Sequence, residues 1–276
     1  MIKKIAFLLL VLVFPTLGFS QEKIKGSRNV VLLETPIEPF NKILLSEKFD
    51  IILVEGSATS VEIEADDNLH DYIKFEVVDS ILSFSSTAKI VSSKKLEIKV
   101  RYTKELNEIE LKENSEISAL DRLQNEELLL KTHDNSRAYL NITSPIFNYT
   151  GNGKSKSRLN IESQKAILEL NDYSSLEALI VADSLKTTLY MHSKATLEGD
   201  VNNFEIYAIS SSDFLGKNLT AKTAIINAED TSDVEINITE TVNMKLTGNS
   251  DVVLYGNAKI NLETFTGTAT LQKKEL

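Results

Sequence analysis

The chain has 276 residues, a formal net charge of −10 at pH 7, 42% hydrophobic residues and no cysteine. Without cysteine it has no disulfide, no thiol nucleophile, no cysteine-based metal site and no lipid anchor on cysteine. The acidic balance and the lack of a Lys/Arg cluster with interleaved aromatic residues argue against a nucleic-acid partner.

The first twenty residues have the organisation of a secretory signal peptide. Lys3 and Lys4 precede an apolar run from Ile5 to Phe14, and a segment of small residues ends at Ser20. A membrane-spanning helix needs about 20 apolar residues, so a run of about ten is too short for a transmembrane span. We therefore predict that residues 1–20 are cleaved and that the protein is exported to the periplasm, the outer surface or the medium.

Residues 21–110 are predicted to form a β region that caps the rest of the chain. Runs of β-branched and aromatic residues alternate with turn signals such as Glu55-Gly56-Ser57 and Asp66-Asp67-Asn68. The predicted strands are Asn29 to Leu33, Ile43 to Leu45, Phe49 to Val54, Val61 to Ala65, Ile73 to Val78, Ile81 to Ser85 and Leu96 to Tyr102. Their spacing is irregular.

Residues 111–276 contain a repeat of about nineteen residues that is anchored on serine. The anchors are Ser115, Ser136, Ser155, Ser174, Ser193, Ser212, Ser232 and Ser250. The positions six before and two after the anchors are mostly apolar. The position directly after them is polar and reads Glu116, Arg137, Lys156, Ser175, Lys194, Asp213, Asp233 and Asp251. Apolar columns two residues apart, with polar columns between them, are typical of strands that bury one face.

The repeat predicts an all-β fold, a single-stranded right-handed β-helix with coils of about nineteen residues. An α-helix would need a period of 3.6, a leucine-rich repeat its regular leucines, and a propeller blade about twice the length. Two residues before most anchors stands Asp, Gly or Ser, which accept the left-handed backbone of a tight corner. We expect the anchor serines to lie at that corner. Eight equivalent copies argue against a catalytic serine.

Segments before the repeat match the strand pattern of a known family. They are Phe40 to Ile43, Phe49 to Gly56, Val61 to Leu69, Leu96 to Val100 and Leu106 to Ile109. In these segments the chain resembles the head GIN domain family of "putative" autotransporter adhesins, and the resemblance extends over residues 27–270. It implies a right-handed β-helix exported by a Gram-negative bacterium. It brings no catalytic or binding residues to carry over.

Three aspartates are the candidate ligand-binding residues. Asp213, Asp233 and Asp251 occupy the same outward column in three successive coils, so their carboxylates should lie about 5 Å apart along the axis. Stacked carboxylates raise one another's pKa, and a hard cation such as Ca²⁺ would relieve the repulsion. We predict an acidic ladder with a binding role, and its alternative is a solvated acidic face. No metal site or cofactor is assigned, and Ca²⁺ is a secondary hypothesis.

The function predicted from these features is an exported, non-catalytic binding or structural module of the cell envelope, adhesin-like, with a glycan or an envelope or host surface protein as partner. The alternative is a carbohydrate-active enzyme of the polysaccharide lyase or hydrolase type, because such enzymes also use β-helices and paired carboxylates. The absence of Trp and of long loop insertions disfavours the enzyme. The only histidines, His70, His133 and His192, are predicted to be solvated and not to converge.

Overall fold

The computed structural model describes residues 22–275 and shows a β-solenoid of about nine turns. The predicted signal peptide, residues 1–20, lies outside the described residues. Apart from one 3-10 helix, Asp67–Tyr72, the regular structure in residues 22–275 consists of strands. No helix in this range is long and apolar enough to cross a membrane. The prediction of an all-β solenoid with coils of about nineteen residues is confirmed.

The strands divide into an N-terminal set and a set that builds the regular coils. The N-terminal strands are Lys23–Lys25, Val30–Pro36, Lys42–Leu45, Asp50–Glu55, Ser60–Asp66, Ile73–Val78, Ile81–Ser86, Lys89–Ser92 and Leu96–Tyr102. The coil strands are Glu108–Leu111, Glu116–Ala119, Leu123–Gln124, Glu127–Thr132, Arg137–Thr143, Ile146–Gly151, Lys156–Leu170, Ser175–Leu189, Lys194–Ala208, Asp213–Ala228, Asp233–Leu246, Asp251–Tyr255, Lys259–Phe265 and Thr270–Lys274.

Successive coils pair in parallel at an offset of one coil. Lys156 pairs with Ser175, and Ser175 pairs with Lys194 one coil further on. Where the register is regular, each inward side chain therefore packs against an inward side chain of the neighbouring coil, as the alternating burial of the strands shows. The register shifts locally in the pairs that Asp213–Ala228 forms with its two neighbouring strands and in the pair of Asp233–Leu246 with Lys259–Phe265. Leu, Ile, Val, Phe and Ala in the inward columns form one continuous core along the axis. The hydrophobic columns read from the sequence are therefore the inner surface of the solenoid.

Each coil turns at a residue with a left-handed backbone. These residues stand two before the anchor serines, as predicted, and have φ between 56° and 73°: Glu113, Asp134, Gly153, Asp172, Met191, Ser210, Asp230 and Gly248. The corners are hydrogen-bonded from coil to coil, for example from the backbone N–H of His192 to the carbonyl of Asp172 at 2.9 Å. In addition, the Asp172 carboxylate accepts the N–H of Gly153 at 2.9 Å.

The anchor serines are buried at the same corner, each with a relative exposure of 1% or less. The hydroxyl of Ser136 donates to the carbonyl of His133 at 2.6 Å, which closes the turn. Ser155 instead joins a group of hydroxyls in the core, where Thr132 donates to it at 3.0 Å and lies 3.1 Å from the hydroxyl of Tyr149. The serines therefore serve the packing of the corner.

The N-terminal strands lie before the first regular coil in the stack, but they do not stack in the order of the chain. Ile43 pairs on one side with Leu82 and on the other with Ile109. The strand Asp50–Glu55 likewise lies between Leu96–Tyr102 and Glu116–Ala119. Beyond them, antiparallel pairing of Ser60–Asp66 with Val30–Pro36 and Leu96–Tyr102 ends the parallel stack.

A buried carboxylate holds this N-terminal end together. Asp66 has no exposed surface and accepts backbone N–H groups of Arg28 at 3.1 Å, Lys94 at 3.1 Å and Lys95 at 3.3 Å. Burial by itself raises the pKa of Asp66, but the hydrogen bonds from Lys94, Arg28 and Lys95 outweigh it, so the pKa is lowered from 3.8. Asp66 thereby joins three segments that are distant in sequence.

We expect Asp66→Asn to lower the melting temperature at pH 7, because an amide cannot accept all three N–H groups. A lowered pKa in the folded state means that the stabilisation is present above the unfolded value, 3.8, and is lost as the pH falls through the folded value. The two proteins should therefore melt at similar temperatures near pH 2. Thermal melting from pH 2 to pH 7 measures this, with the exposed Asp71→Asn as control. Equal melting temperatures at pH 7 would contradict the role of Asp66.

Met191→Gly should stabilise the solenoid. Met191 has φ 60° and its side chain is 54% exposed, so glycine relieves the left-handed strain and sacrifices little packing. The expected gain is about 1 kcal/mol in the free energy of unfolding. Gly248→Ala, at the equivalent corner with φ 73°, should lower it by more than this, because the added Cβ would also lie 2.8 Å from backbone atoms of Asp230. Chemical denaturation compares the three proteins, and a loss of stability in Met191→Gly would contradict the expectation.

Candidate functional site

The structure brings the three predicted aspartates together on one outward column. Asp213 pairs with Asp233, and Asp233 pairs with Asp251, so the three follow one another in successive coils. They line a shallow depression of about 200 Å³ together with Leu215 and Glu235. The ladder is therefore a continuous acidic line on the solenoid surface.

The charge of the central carboxylate, Asp233, is unfavourable in the folded protein. Desolvation by the surrounding chain, followed by the carboxylates of Asp213, Asp251 and Glu235, raises the pKa of Asp233 above 3.8. At the C-terminal end of the ladder, the Thr270 hydroxyl donates a hydrogen bond to Asp251. Among residues 22–275, no cation pairs with any of the three aspartates.

The ladder does not form a closed cation cage. Calcium takes six to eight oxygen ligands that converge on one point. In the part of the chain that the structure describes, no group of three or more His, Cys, Asp or Glu residues is placed to hold a metal ion. Calcium binding by Asp213, Asp233 and Asp251 stays a prediction.

A second candidate surface is a groove at another corner of the coils, about eight residues after the anchor serines, where the long strands bend. We call it the corner groove. It holds about 550 Å³ and runs along the axis across successive coils. Its floor is formed by the buried residues Ser144, Ala182 and Val201. Its lining residues are Thr143, Ser144, Pro145, Glu162, Ser163, Gln164, Val181, Ala182, Asp183, Asp200, Val201, Asn202, Thr220, Lys222 and Thr239.

Polar groups with free hydrogen-bonding capacity border the corner groove. Asn202 donates to the carboxylate of Asp183 at 2.9 Å, which leaves the second carboxylate oxygen and the amide oxygen for a ligand. Glu162 and Asp200 add two further carboxylates, of which Glu162 is paired with the guanidinium of Arg122 at 3.0 Å, and the lining contains the amine of Lys222. The carboxylates still outnumber the cations by three to two. The groove therefore favours neutral or cationic ligands over anionic ones.

The sequence gives a weak signal for the corner groove. Its floor residues Ser144, Ala182 and Val201 lie eight positions after the anchors Ser136, Ser174 and Ser193, and the lining residue Ser163 has the same position after Ser155. The side chains at these four positions are small, which leaves a concavity on the surface. The acidic ladder was predicted from the column directly after the anchors, and the groove residues lie in other columns.

The histidines occupy three separate places. The Nε2 atom of His70 lies 3.2 Å from the carbonyl of Val31, in the N-terminal region. His133 lies at one corner, with its Nε2 3.7 Å from Glu110. His192 lies at a corner three coils further on, where it stacks on Tyr173 at a centroid distance of 5.0 Å. They form no common site.

Asp233→Asn should raise the melting temperature at pH 7. A carboxyl group whose pKa is raised on folding destabilises the folded state above its unfolded pKa, 3.8, and has no such effect once it is protonated. The difference from the unchanged protein should therefore vanish near pH 3. Thermal melting at both pH values measures this, with Asp200→Asn as control.

Thermal melting of the unchanged protein in millimolar Ca²⁺ and in EDTA tests the cation hypothesis. Equal melting temperatures in Ca²⁺ and EDTA would contradict calcium binding by the ladder.

The fold has counterparts among solved structures. An adhesin, named as "putative", from Parabacteroides distasonis has a TM-score of 0.65 at 19% identity, with 92% of this chain and 100% of that chain covered. One from Parabacteroides merdae, named in the same way, has a TM-score of 0.63 at 16% identity, with coverage of 92% and 99%. A "putative lipid binding protein" from Parabacteroides distasonis has a TM-score of 0.60 at 14% identity, with coverage of 92% and 100%.

Family membership follows from the sequence match. The comparison with curated proteins finds no match. The family described as "Putative auto-transporter adhesin, head GIN domain" matches residues 39–258, which is most of the chain. This is the family whose strand pattern the N-terminal segments resemble. The chain belongs to this head GIN domain family, whose description is "Putative auto-transporter adhesin".

Proposed function

We propose that this chain is a non-catalytic, adhesin-like binding module of the bacterial cell envelope that holds a neutral, hydroxyl-rich polymer such as a glycan chain in the corner groove. The observation that carries the proposal is the groove itself. It extends along the axis and is bordered in each coil by carboxylate, amide or hydroxyl groups. Export through the signal peptide, residues 1–20, is part of the proposal.

The dimensions of the corner groove suit an extended polymer. From Thr143 to Thr239 it crosses six coils, a length of about 24 Å at the spacing of about 4.8 Å between neighbouring strands. A solenoid holds these groups on a rigid scaffold, so little conformational entropy is lost when a ligand binds. A polymer that lies along the axis meets a similar set of donors and acceptors at each coil.

The chemistry of the groove favours a neutral glycan over other polymers. Asp183 and Asn202 present a carboxylate and an amide side by side, which can together accept from and donate to neighbouring sugar hydroxyls. The excess of carboxylates over cations opposes acidic glycans. Apolar residues also line the groove, namely Pro145, Val181, Ala182 and Val201, and Val181 is 52% exposed. Lipid vesicles are therefore the alternative ligand that the experiment has to test.

Family membership supports binding over catalysis. The family and two of the similar structures carry the name adhesin, and this also supports a location in the envelope or at the surface. The corner groove contains carboxylates, but Asp183 is engaged by Asn202 and is not isolated as a general acid. We infer that the groove holds a glycan without cleaving it.

The test is a glycan array followed by calorimetry with the glycans that bind. We expect binding to neutral glycans, and at least about tenfold weaker binding for the double variant Asp183→Ala and Asn202→Ala, because two ligand hydrogen bonds are lost. The matched control is Glu198→Ala with Asn218→Ala, a carboxylate and amide pair joined at 3.2 Å outside the groove.

Three outcomes would contradict the proposal. One is binding of acidic glycans or of lipid vesicles in place of neutral glycans. Another is an equal loss of affinity in the control variant. The third is the release of shorter products from a bound glycan, which would return the carbohydrate-active enzyme to first place.

A further inference from the structure

Part of one outward column of the solenoid is divided into a basic and an acidic half. We call this part the banded column, and parallel pairing places its members one after another in successive coils. The outward column starts with the acidic residues Asp50 and Glu116. The banded column is the part that follows them, and its members are Arg137, Lys156, Ser175, Lys194, Asp213, Asp233, Asp251 and Thr270. The acidic ladder is thus half of a longer pattern.

The charges of the banded column are largely unpaired within the chain. Lys156 and Lys194 are exposed and have no ion-pair partner among residues 22–275. Arg137 has only a long contact, 3.6 Å, with Glu116 at the basic end. Charges that could neutralise one another within the column are instead segregated along it, apart from Lys194 and Asp213 at the boundary. Among residues 22–275, no other surface neutralises the charges of the banded column.

We propose that two copies of this chain pair side by side, in antiparallel orientation, through the banded column. A two-fold axis between the coils of Lys194 and Asp213 reverses the order of the coils, so that each half of the column faces the opposite half. Lys194 then faces Asp213 of the second copy, and Lys156 faces Asp251. Both contacts occur twice, because a two-fold interface is isologous.

The remaining members of the banded column fit the same register. Ser175 faces Asp233 of the second copy, to which its hydroxyl can donate a hydrogen bond, and Arg137 faces Thr270. All distances match, because both copies have the same coil spacing of about 4.8 Å. In the neighbouring outward column, Arg158 already neutralises Glu177 at 2.9 Å. No like charges of the banded column face each other in this arrangement.

The area of this face suits a reversible dimer. Eight coils by about five strand residues give a face of about 35 Å by about 17 Å, or about 600 Å² per copy. The total lies near the lower limit for specific protein interfaces. Exposed ion pairs are screened by salt, so the dimer should weaken as the ionic strength rises.

A second copy contacts both halves of the banded column, whereas other partners contact one half of it. A polyanion would contact only Arg137, Lys156 and Lys194, and a cationic surface would contact only the aspartates. A second molecule of this protein, placed antiparallel to the first, presents both halves in reversed order. The pairing does not depend on the function proposed for the corner groove.

Sedimentation velocity over a range of concentrations and salt tests the pairing. We expect a concentration-dependent dimer that dissociates at high ionic strength. The double variant Lys156→Asp and Lys194→Asp, and separately Asp213→Lys with Asp251→Lys, should each weaken the dimer at least about 100-fold, because facing charges become alike. An equimolar mixture of the two variants should form a heterodimer, since the contacts of residue 194 with residue 213 and of residue 156 with residue 251 then again join opposite charges.

The matched control is Lys165→Asp with Lys259→Asp, which makes the same change of charge on two exposed lysines of the other strand segment. This control should dimerise as the unchanged protein does. A monomer at all concentrations, a dimer that either variant leaves intact, or a mixture that fails to associate would overturn the proposal. So would a protein that stays monomeric and binds a polyanion through its basic half.

Discussion

The constraint on which the whole structure depends is the one-coil register of parallel strands, which is fixed at a left-handed corner in every turn. A shift of one residue would turn the buried columns outward along the entire coil. The corner prevents this shift, because the left-handed residue, the N–H after it and the buried serine recur at the same point of each coil. Stability therefore accumulates from one coil to the next.

The same register determines the form of the functional surfaces. Equivalent positions project in lines along the axis, so chemical groups are arranged as columns, and a convergent pocket would need an irregular loop. The acidic ladder, the banded column and the corner groove are all lines of this kind. Such surfaces suit extended or repetitive partners, and this is consistent with a family of adhesins.

The repeat, its inner columns and the corner residues could be predicted from the sequence because stacking forces similar side chains into the same column. For the same reason the sequence placed Asp213, Asp233 and Asp251 in one line. The pairing of Ile43 with Ile109 could not be predicted, because it spans an aperiodic stretch. In the sequence Asp66 has the pattern of a turn residue, and its burial could not be predicted because it depends on N–H groups from two distant segments. The corner groove depends on the bend of the backbone around small residues, which composition alone does not reveal.

The N-terminal strands, which do not stack in the order of the chain, set an order in which the molecule can be assembled. The strand Asp50–Glu55 has neighbours on both sides only after residues 96–119 are available, so roughly the first hundred described residues must come together as one unit. Every later coil needs only about nineteen more residues and one completed neighbour. A chain delivered from its N-terminus would thus form a slow nucleus with long-range contacts, followed by rapid stepwise growth toward the C-terminus.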